Sequence, residues 1–494
     1  MKRITLISAL VSPFLLTGCN FLKVESIGKS TIDTFFSEPS GMIAAGEGLH
    51  TLLLEFFDDI VIRCAEMGGD MLNENSINAD EGMDLYYNFG LTPDYNATYP
   101  LTAYSKGYTV VSNANYILKY GPSLIEQYPT RADEMRRVMA YAYFARAVAH
   151  HQECNLYAQP WSYTKDASHL GMPVITYVPG FEDIIPRKTV AQVYAQVIED
   201  LHEALKIFNS LAASGEETSV KDPYHISGIA CEAMLARVYL YKNDWENAEK
   251  YSSKVIAKVP LSPRSEYVAM FRQSQTNKGK ETILRMNGYD KTSSMRAFYD
   301  PTALMKFYPD PVVYTWFDDD DVRKELLTYV GESCEDSYAG KSFSAVCKFL
   351  PLKSITDEML RVPDNFILRC SEMYLIHAEA LVKGDSHNLS AAADDLRKLI
   401  ARARGCAESS VSLPYTDASS LEELIDFERR RELAYEGHRQ FDIARTGRDL
   451  VRSSTSNARV KTLKYPAYNY ILPIAQMEMQ ANESMIQNDG YKKQ

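Results

Sequence analysis

The strongest constraint on this fold is a recurring pattern of small residues on helix-patterned segments joined by short turns. The run Leu235-Ala236-Arg237-Val238-Tyr239 is followed by Trp245, Ala248 and finally Pro260. Asn243-Asp244 lie between the two halves and supply a turn. A second pair has the same form: Ala378 and Ala380, the turn Lys383-Gly384-Asp385, then Ala391-Ala392-Ala393. Ala140-Tyr141-Ala142-Tyr143 reads as part of another. Antiparallel helices approach closely only where the facing side chains are short. One such hairpin cannot bury its own apolar stripe, so several copies predict a stacked helical core.

The spacing approximates that of tetratricopeptide hairpins, and it predicts a mainly α fold. Apolar periodicity places helices over 38–64, 102–119, 131–153, 189–209, 226–242, 245–258, 366–383, 389–404 and 419–436. Residues 68–100 break the pattern with Gly68, Gly69, Asn73, Asn75, Asn78, Gly82, Gly90, Pro93 and Pro100, and read as a long loop. The stretch 260–365 is rich in proline, glycine and aromatics, with one candidate strand at Ile283-Leu284-Arg285-Met286. Loops of this length are functional or disordered, and the tyrosines in 68–100 argue against disorder. At 494 residues the chain allows two to four domains or one large repeat-built unit.

Met1-Lys2-Arg3 followed by the apolar run Ile4 to Leu16 has the form of a secretory signal and is too short to span a bilayer. It ends Leu16-Thr17-Gly18-Cys19, which resembles a bacterial lipobox; Cys19 would then carry the lipid and become the mature N-terminus. The expected organisation is a signal peptide over 1–18, a tether over 19–37, and one globular unit with parts at 38–215 and 216–494. The formal net charge is −12; losing residues 1–18 removes Lys2 and Arg3 and leaves −14. An acidic chain with no long basic run is a poor match for nucleic acid. Seven cysteines remain after Cys19, an odd number without Cys-x-x-Cys spacing; Cys334 and Cys347 flank a loop and are the one pair positioned for a disulfide.

The common signatures of catalysis are missing. Gly28-Lys29-Ser30 and Gly340-Lys341-Ser342 have Lys23 and Glu335 where a phosphate-binding loop needs its first glycine. His150-His151-Gln152-Glu153 has the wrong order for a zinc-protease helix, and no Gly-x-Ser-x-Gly elbow occurs. Asp318-Asp319-Asp320-Asp321 lacks the alternating spacing of a calcium loop and reads as an acidic turn entering a helix at Val322. No metal and no cofactor is expected. An acid pair for glycoside hydrolysis remains open among 65 acidic residues.

The segment Leu424-Ile425-Asp426-Phe427-Glu428-Arg429-Arg430-Arg431-Glu432-Leu433-Ala434-Tyr435-Glu436-Gly437-His438-Arg439-Gln440-Phe441-Asp442 resembles the Glu-Arg-x-Arg-Glu-Leu-x-x-Glu-Gly-x-Arg-x-x-Asp signature of the SusD/RagB family. Arg369, Glu372, Tyr374, Leu375, Ala378, Glu379 and Ala380 match its Arg-x-x-Glu-x-Tyr-Leu-x-x-Ala-Glu-Ala helix. Leu472-Pro473-Ile474 through Gln487-Asn488-Asp489-Gly490-Tyr491 resembles its closing segment, with Ala475, Glu483 and Asp489 where proline is usual. On a helix, Glu428, Arg431, Glu432 and Glu436 share one side and are expected to exchange charge-assisted bonds as structure rather than catalysis.

The resemblance implies a surface lipoprotein anchored in the outer membrane. Such a protein binds a nutrient glycan, or secondarily a peptide, for a SusC-like TonB-dependent transporter, and is not an enzyme. The alternatives are a surface glycoside hydrolase and an adhesin or scaffold. Sugar rings stack their C–H faces on aromatic rings and hydrogen-bond through hydroxyls. The tyrosine excess, 33 against 19 Phe and 3 Trp, suits such a surface or is background composition. The candidate ligand residues are Tyr86, Tyr87, Asp94, Tyr95, Asn96 and Tyr99 in the first loop, and Tyr289, Tyr299, Tyr314 and Trp316 in the second.

Overall fold

The computed structural model describes residues 31–94, 99–213, 222–273, 276–286, 294–302, 304–331, 340–350 and 364–491. Thr31 caps α1 (Ile32–Phe35), its hydroxyl accepting from the Thr34 amide at 3.2 Å. Phe36 is buried and stacks on Tyr120 at 4.9 Å, so the end of the segment expected as tether is folded onto the body. Pro39 opens α2 (Pro39–Phe56), where its missing amide hydrogen is no loss. The rod continues through a π-helical turn, Phe57–Val61, into α3 (Ile62–Met67). Then come β1 (Leu72–Glu74), α4 (Glu81–Tyr87) capped by Asp80, and the long helices α5 (Tyr99–Gln127), α6 (Ala132–Tyr157) and α7 (Val190–Ala213).

The middle of the chain holds α8 (Gly228–Tyr241), α9 (Trp245–Ile256), α10 (Arg264–Arg272), β2 (Thr282–Met286), α11 (Ser294–Tyr299), β3 (Phe307–Pro309), α12 (Pro311–Tyr314), β4 (Thr328–Val330) and β5 (Ser342–Ser344). The last third holds β6 (Asn365–Arg369), α13 (Cys370–Lys383), α14 (Leu389–Arg404), α15 (Ala418–Glu432), α16 (Arg439–Arg445), β7 (Leu450–Val451), β8 (Thr462–Leu463) and α17 (Gln476–Ala481).

The helices stack as the small residues require. α5, α6 and α7 pack in succession, with α2 laid across α5 and α6; α7 passes to α8, α8 to α9, α9 to α13, and α13 to α14 and α15. In α8 and α9 the seam is Ala233, Ala236 and Ala248; in α13 and α14 it is Ala378, Ala392 and Ala393, all fully buried. Asn243 holds φ +59° in the first turn, and the Asp244 side chain accepts from the Asn247 amide at 3.3 Å. Gly384 closes the second, where a Cβ would meet the Ala380 carbonyl at 2.8 Å and Trp245 Cβ at 3.1 Å.

Three expectations are corrected. The helix expected from 366 begins at Cys370, because 365–369 is β6, paired antiparallel with β2. Phe366-Ile367-Leu368 is an unbroken apolar run, which periodicity cannot assign. The stretch 68–100 is not all loop: it contains β1 and α4, and α5 starts at Tyr99. α15 stops at Glu432, before a turn with Tyr435 at φ +66° and Gly437 at φ +87°.

Glu428, Arg429, Glu432 and Glu436 of the signature segment are buried, but most of their partners come from elsewhere in the chain. Glu432 accepts from Arg323 at 3.0 Å, Arg369 at 2.6 Å and Arg402 at 2.7 Å. Glu436 accepts from Arg369 at 2.7 Å and Lys348 at 2.5 Å; Glu281 accepts from Arg369 and Arg402, each at 2.8 Å. Glu428 accepts from Arg323 at 2.6 Å, and only its bond to Arg431 is local to the helix. Of the expected exchange among Glu428, Arg431, Glu432 and Glu436 only the Glu428–Arg431 pair is made; the remaining bonds cross-link β6, α14, α15 and the Val322–Leu327 turn. Burial alone would raise the Glu432 carboxyl; Arg402, Arg369 and Arg323 outweigh it and hold the group well below the usual range.

Candidate ligand-binding face

The two aromatic-rich stretches are joined by a backbone ladder. β1 pairs antiparallel with β3 in the register Leu72↔Pro309, Asn73↔Tyr308, Glu74↔Phe307. The Asn75 amide donates to the Lys306 carbonyl at 2.8 Å, and the Asn75 and Asn78 side chains donate to the Met305 carbonyl at 3.0 and 3.2 Å. Short polar side chains of this kind satisfy turn backbone that no helix or sheet reaches. The loop between β7 and β8 closes over the ladder. Asn457 accepts from the Glu74 amide at 3.1 Å and donates to the Glu74 carbonyl at 2.6 Å, while Ser453 donates to Asp310 at 2.6 Å.

On this base the candidate rings separate into two kinds. Tyr86, Tyr87, Tyr99 and Tyr299 are buried. Tyr87 donates to the Leu72 carbonyl at 2.7 Å, with the Arg452 guanidinium 4.1 Å above its ring. Tyr86 donates to Gln440 at 2.9 Å and packs edge-on to Tyr99 at 5.3 Å. Tyr299 stacks on Phe349 at 5.7 Å. A ring with protein on both faces offers none to a ligand, so these four hold the loops to the scaffold. Asp94 is exposed. Tyr95, Asn96, Tyr289 and Cys19 lie outside the described residues, as does Cys334 of the candidate disulfide.

Tyr314 and Trp316, two residues apart at the end of α12, are partly buried and make up a ledge. Asp310 caps α12, accepting from the Val312 amide at 3.1 Å, and Pro311 pre-sets the first helical φ. The chain leaves α12 at Thr315, and the Trp316 ring meets Phe427 edge-on at 5.7 Å. Arg431 lies 4.9 Å over Phe427 and donates to the Trp316 carbonyl at 3.4 Å. The Lys324 ammonium sits 4.8 Å over the Tyr314 ring and pairs with Asp319 at 2.7 Å. Of the remaining acids in that run, Asp320 and Asp318 face Arg404 at 3.1 and 3.7 Å, and Asp321 caps the Val322–Leu327 turn. Phe427, Arg431 and Lys324 are the supports that ring counting overlooked. Phe427 carried a faint signal, an aromatic on the motif helix one residue from its charged row.

Beside the ladder, burial and repulsion from Asp84 push the Glu74 carboxyl up to about 7, while Arg459, bidentate at 2.8 and 2.7 Å, holds Asp84 low. The two carboxyls are direct electrostatic neighbours. What the face offers is a stacking surface with polar neighbours, which is recognition chemistry.

Two family models match the sequence: "SusD family" over residues 348–491 and "Starch-binding associating with outer membrane" over residues 48–240. The chain belongs to the SusD family. The first match contains the Glu428–Glu436 charges and the Phe427–Arg431 support; the second spans most of α2 through α8. No protein of curated function matches the sequence. A putative sugar binding protein from Bacteroides vulgatus shares the fold with TM-score 0.78 and 22% identity, over 92% of this chain and 99% of its own. A SusD superfamily protein from Bacteroides thetaiotaomicron matches at TM-score 0.75 and 20% identity, over 91% and 99%. A laminarin binding SusD-like protein matches at TM-score 0.69 and 20% identity, over 92% and 100%. Within the described residues of this SusD family chain, no helix is long and apolar enough to cross a membrane.

Proposed function

We propose that this SusD family protein is a lipid-tethered binder at the outer-membrane surface that captures a glycan and passes it to a SusC-like TonB-dependent transporter without altering it. The observation that carries the reading is Trp316, a partly buried indole held edge-on by Phe427 and Arg431 near the end of a ladder that unites both loop regions. A rigid ring loses little entropy on stacking against a sugar, so its affinity is not spent on ordering. Tyr314 extends the surface, and Asp94, Tyr95, Asn96 and Tyr289 belong to the flanking loops that would supply hydrogen bonds. The laminarin binding SusD-like protein of the same fold favours a glycan over a peptide as ligand. Cys19 is the lipid attachment point, after removal of residues 1–18.

The test is a glycan and peptide array probed with the soluble chain beginning after Cys19, followed by calorimetry on each hit. An oligosaccharide bound and recovered intact, together with a transporter co-purifying from the membrane, supports the reading. Release of shorter sugars by the purified protein would replace it with a surface glycoside hydrolase, and capture of membrane partners with no glycan or peptide bound would leave a scaffold. Processing that is insensitive to globomycin would remove the lipid anchor.

A further inference from the structure

A cleft of about 330 Å³ opens on another part of the molecule, between the loop that follows α6 and the segments around Tyr468 and Asp489. None of its lining residues belongs to the Tyr314–Trp316 ledge. Its two sides are fixed. The Gln159 side chain donates across it to the Ala467 carbonyl at 2.9 Å, and Asn488 accepts from the buried Arg187 at 2.8 Å. Two tyrosines stand at its mouth. Tyr163 packs edge-on to His169 at 5.1 Å and Tyr468 edge-on to Tyr491 at 5.0 Å. They remain 43% and 48% exposed, so ring surface is left over on both. The side-chain amide oxygen of Gln159 is buried and has no hydrogen-bond partner among the described residues.

These features specify an occupant. An unpaired buried acceptor is costly and is relieved by a ligand O–H or N–H. Exposed tyrosine faces suit a flat apolar surface, and the volume is at the lower end of small-molecule pockets, roughly 300–1,000 Å³. Asp489 on the rim disfavours an anion. We infer that this cleft is a second binding site, for a single hydroxyl-bearing ring such as one sugar residue. Gln159 accepts from a ring hydroxyl while Tyr163 and Tyr468 hold the ring's C–H faces. The inference takes only its ligand class from the proposed function; the cleft itself is independent of the ledge.

The test is saturation-transfer NMR on the mature chain with glucose, galactose, mannose, arabinose and N-acetylglucosamine added singly. At least one gives a signal that persists in Trp316→Ala, weakens about tenfold in affinity in Tyr163→Ala or Tyr468→Ala, and is kept in Tyr163→Phe. Should Tyr468→Ala lower the melting temperature, Tyr163→Ala decides, since Tyr163 lies on an exposed turn. A crystal soaked in the same sugar shows density against Gln159. If no sugar signal depends on Tyr163 in a variant that melts normally, the cleft is overturned. Oligosaccharide binding that is lost in Trp316→Ala, with no single-sugar signal that depends on Tyr163, would overturn it while sparing the ledge. The opposite pattern would sink the ledge alone.

Discussion

At the scale of single residues, Trp316 and Tyr87 show why composition alone picks out the aromatic-rich loops but not which of their rings are left partly exposed. Both sit in aromatic-rich, loop-like sequence. Tyr87 is buried because Arg452, far along the chain, covers it, and no local signal announces that contact. Trp316 is only partly buried, its ring packed edge-on to Phe427 and against the core. Trp316→Ala is therefore expected to weaken glycan binding by about tenfold or more, roughly 1.5–2 kcal/mol or above, while the melting temperature stays within error. Calorimetry and thermal melting on the same sample check both halves. Phe427→Leu should weaken binding less, because it loosens the indole without removing it. Glu153 supplies the other residue-scale prediction. It is fully buried, both carboxylate oxygens lack partners among the described residues, and burial pushes its pKa well above the usual range. The unfolded chain ionises Glu153 near 4.5, so this site loses stability as pH rises beyond that value. Glu153→Gln is expected to raise the melting temperature at about pH 8 and to leave it unchanged at about pH 4. An equal shift at both pH values would mean that packing, not ionisation, sets the effect.

At the scale of elements, the helical hairpins were legible because their cause is local: small residues recur where helices touch, and Asn-Asp or Lys-Gly-Asp turns separate them. Ala393→Leu should destabilise by about 1–3 kcal/mol, since the α13–α14 seam has no room for a branched side chain. Chemical denaturation reads this as a lowered midpoint at constant slope. β6 was not legible, because a five-residue run buried on both sides carries no period. The ionic cross-link was legible in its glutamates and not in its partners, since Arg323, Arg369 and Arg402 stand apart in sequence. Arg369 binds three carboxylates and is 2% exposed, so Arg369→Met should cost about 3–5 kcal/mol by stranding buried charge. Arg431→Ala removes one carboxylate partner at a partly exposed site and should cost markedly less. Equal losses in the two variants would contradict a cross-link centred on Arg369.

At the scale of the whole molecule, the buried titratable groups pull the pH optimum from both sides. Burial depresses His150 and His151 to about 3 and His438 well below its ordinary value, so the folded chain keeps all three neutral. Each contributes stability that is complete above about 6.5 and lost as pH falls below it, at about 1.4 kcal/mol per pH unit. The carboxyls of Asp70, Glu372, Glu379, Glu432 and Asp442 would be raised by burial, but the arginines beside them prevail and hold them low. Their contribution is present above about 4 and lost below it, which steepens the acid limb. Burial pushes Glu66 and Glu74 up to about 7, and Glu153 and Asp200 are raised as well. These four favour the folded state at low pH and lose that preference as pH rises from about 4 through about 7. Between roughly pH 5 and 6.5 the histidine and carboxyl slopes oppose each other. The melting temperature should therefore trace a plateau there, a steep fall below about 4.5 and a shallow decline above 6.5. A melting profile from about pH 3 to 9 at constant ionic strength reads the curve directly. A maximum above pH 8 would mean that the raised carboxyls are paired in solution. A sharp peak would mean that the buried histidines titrate normally.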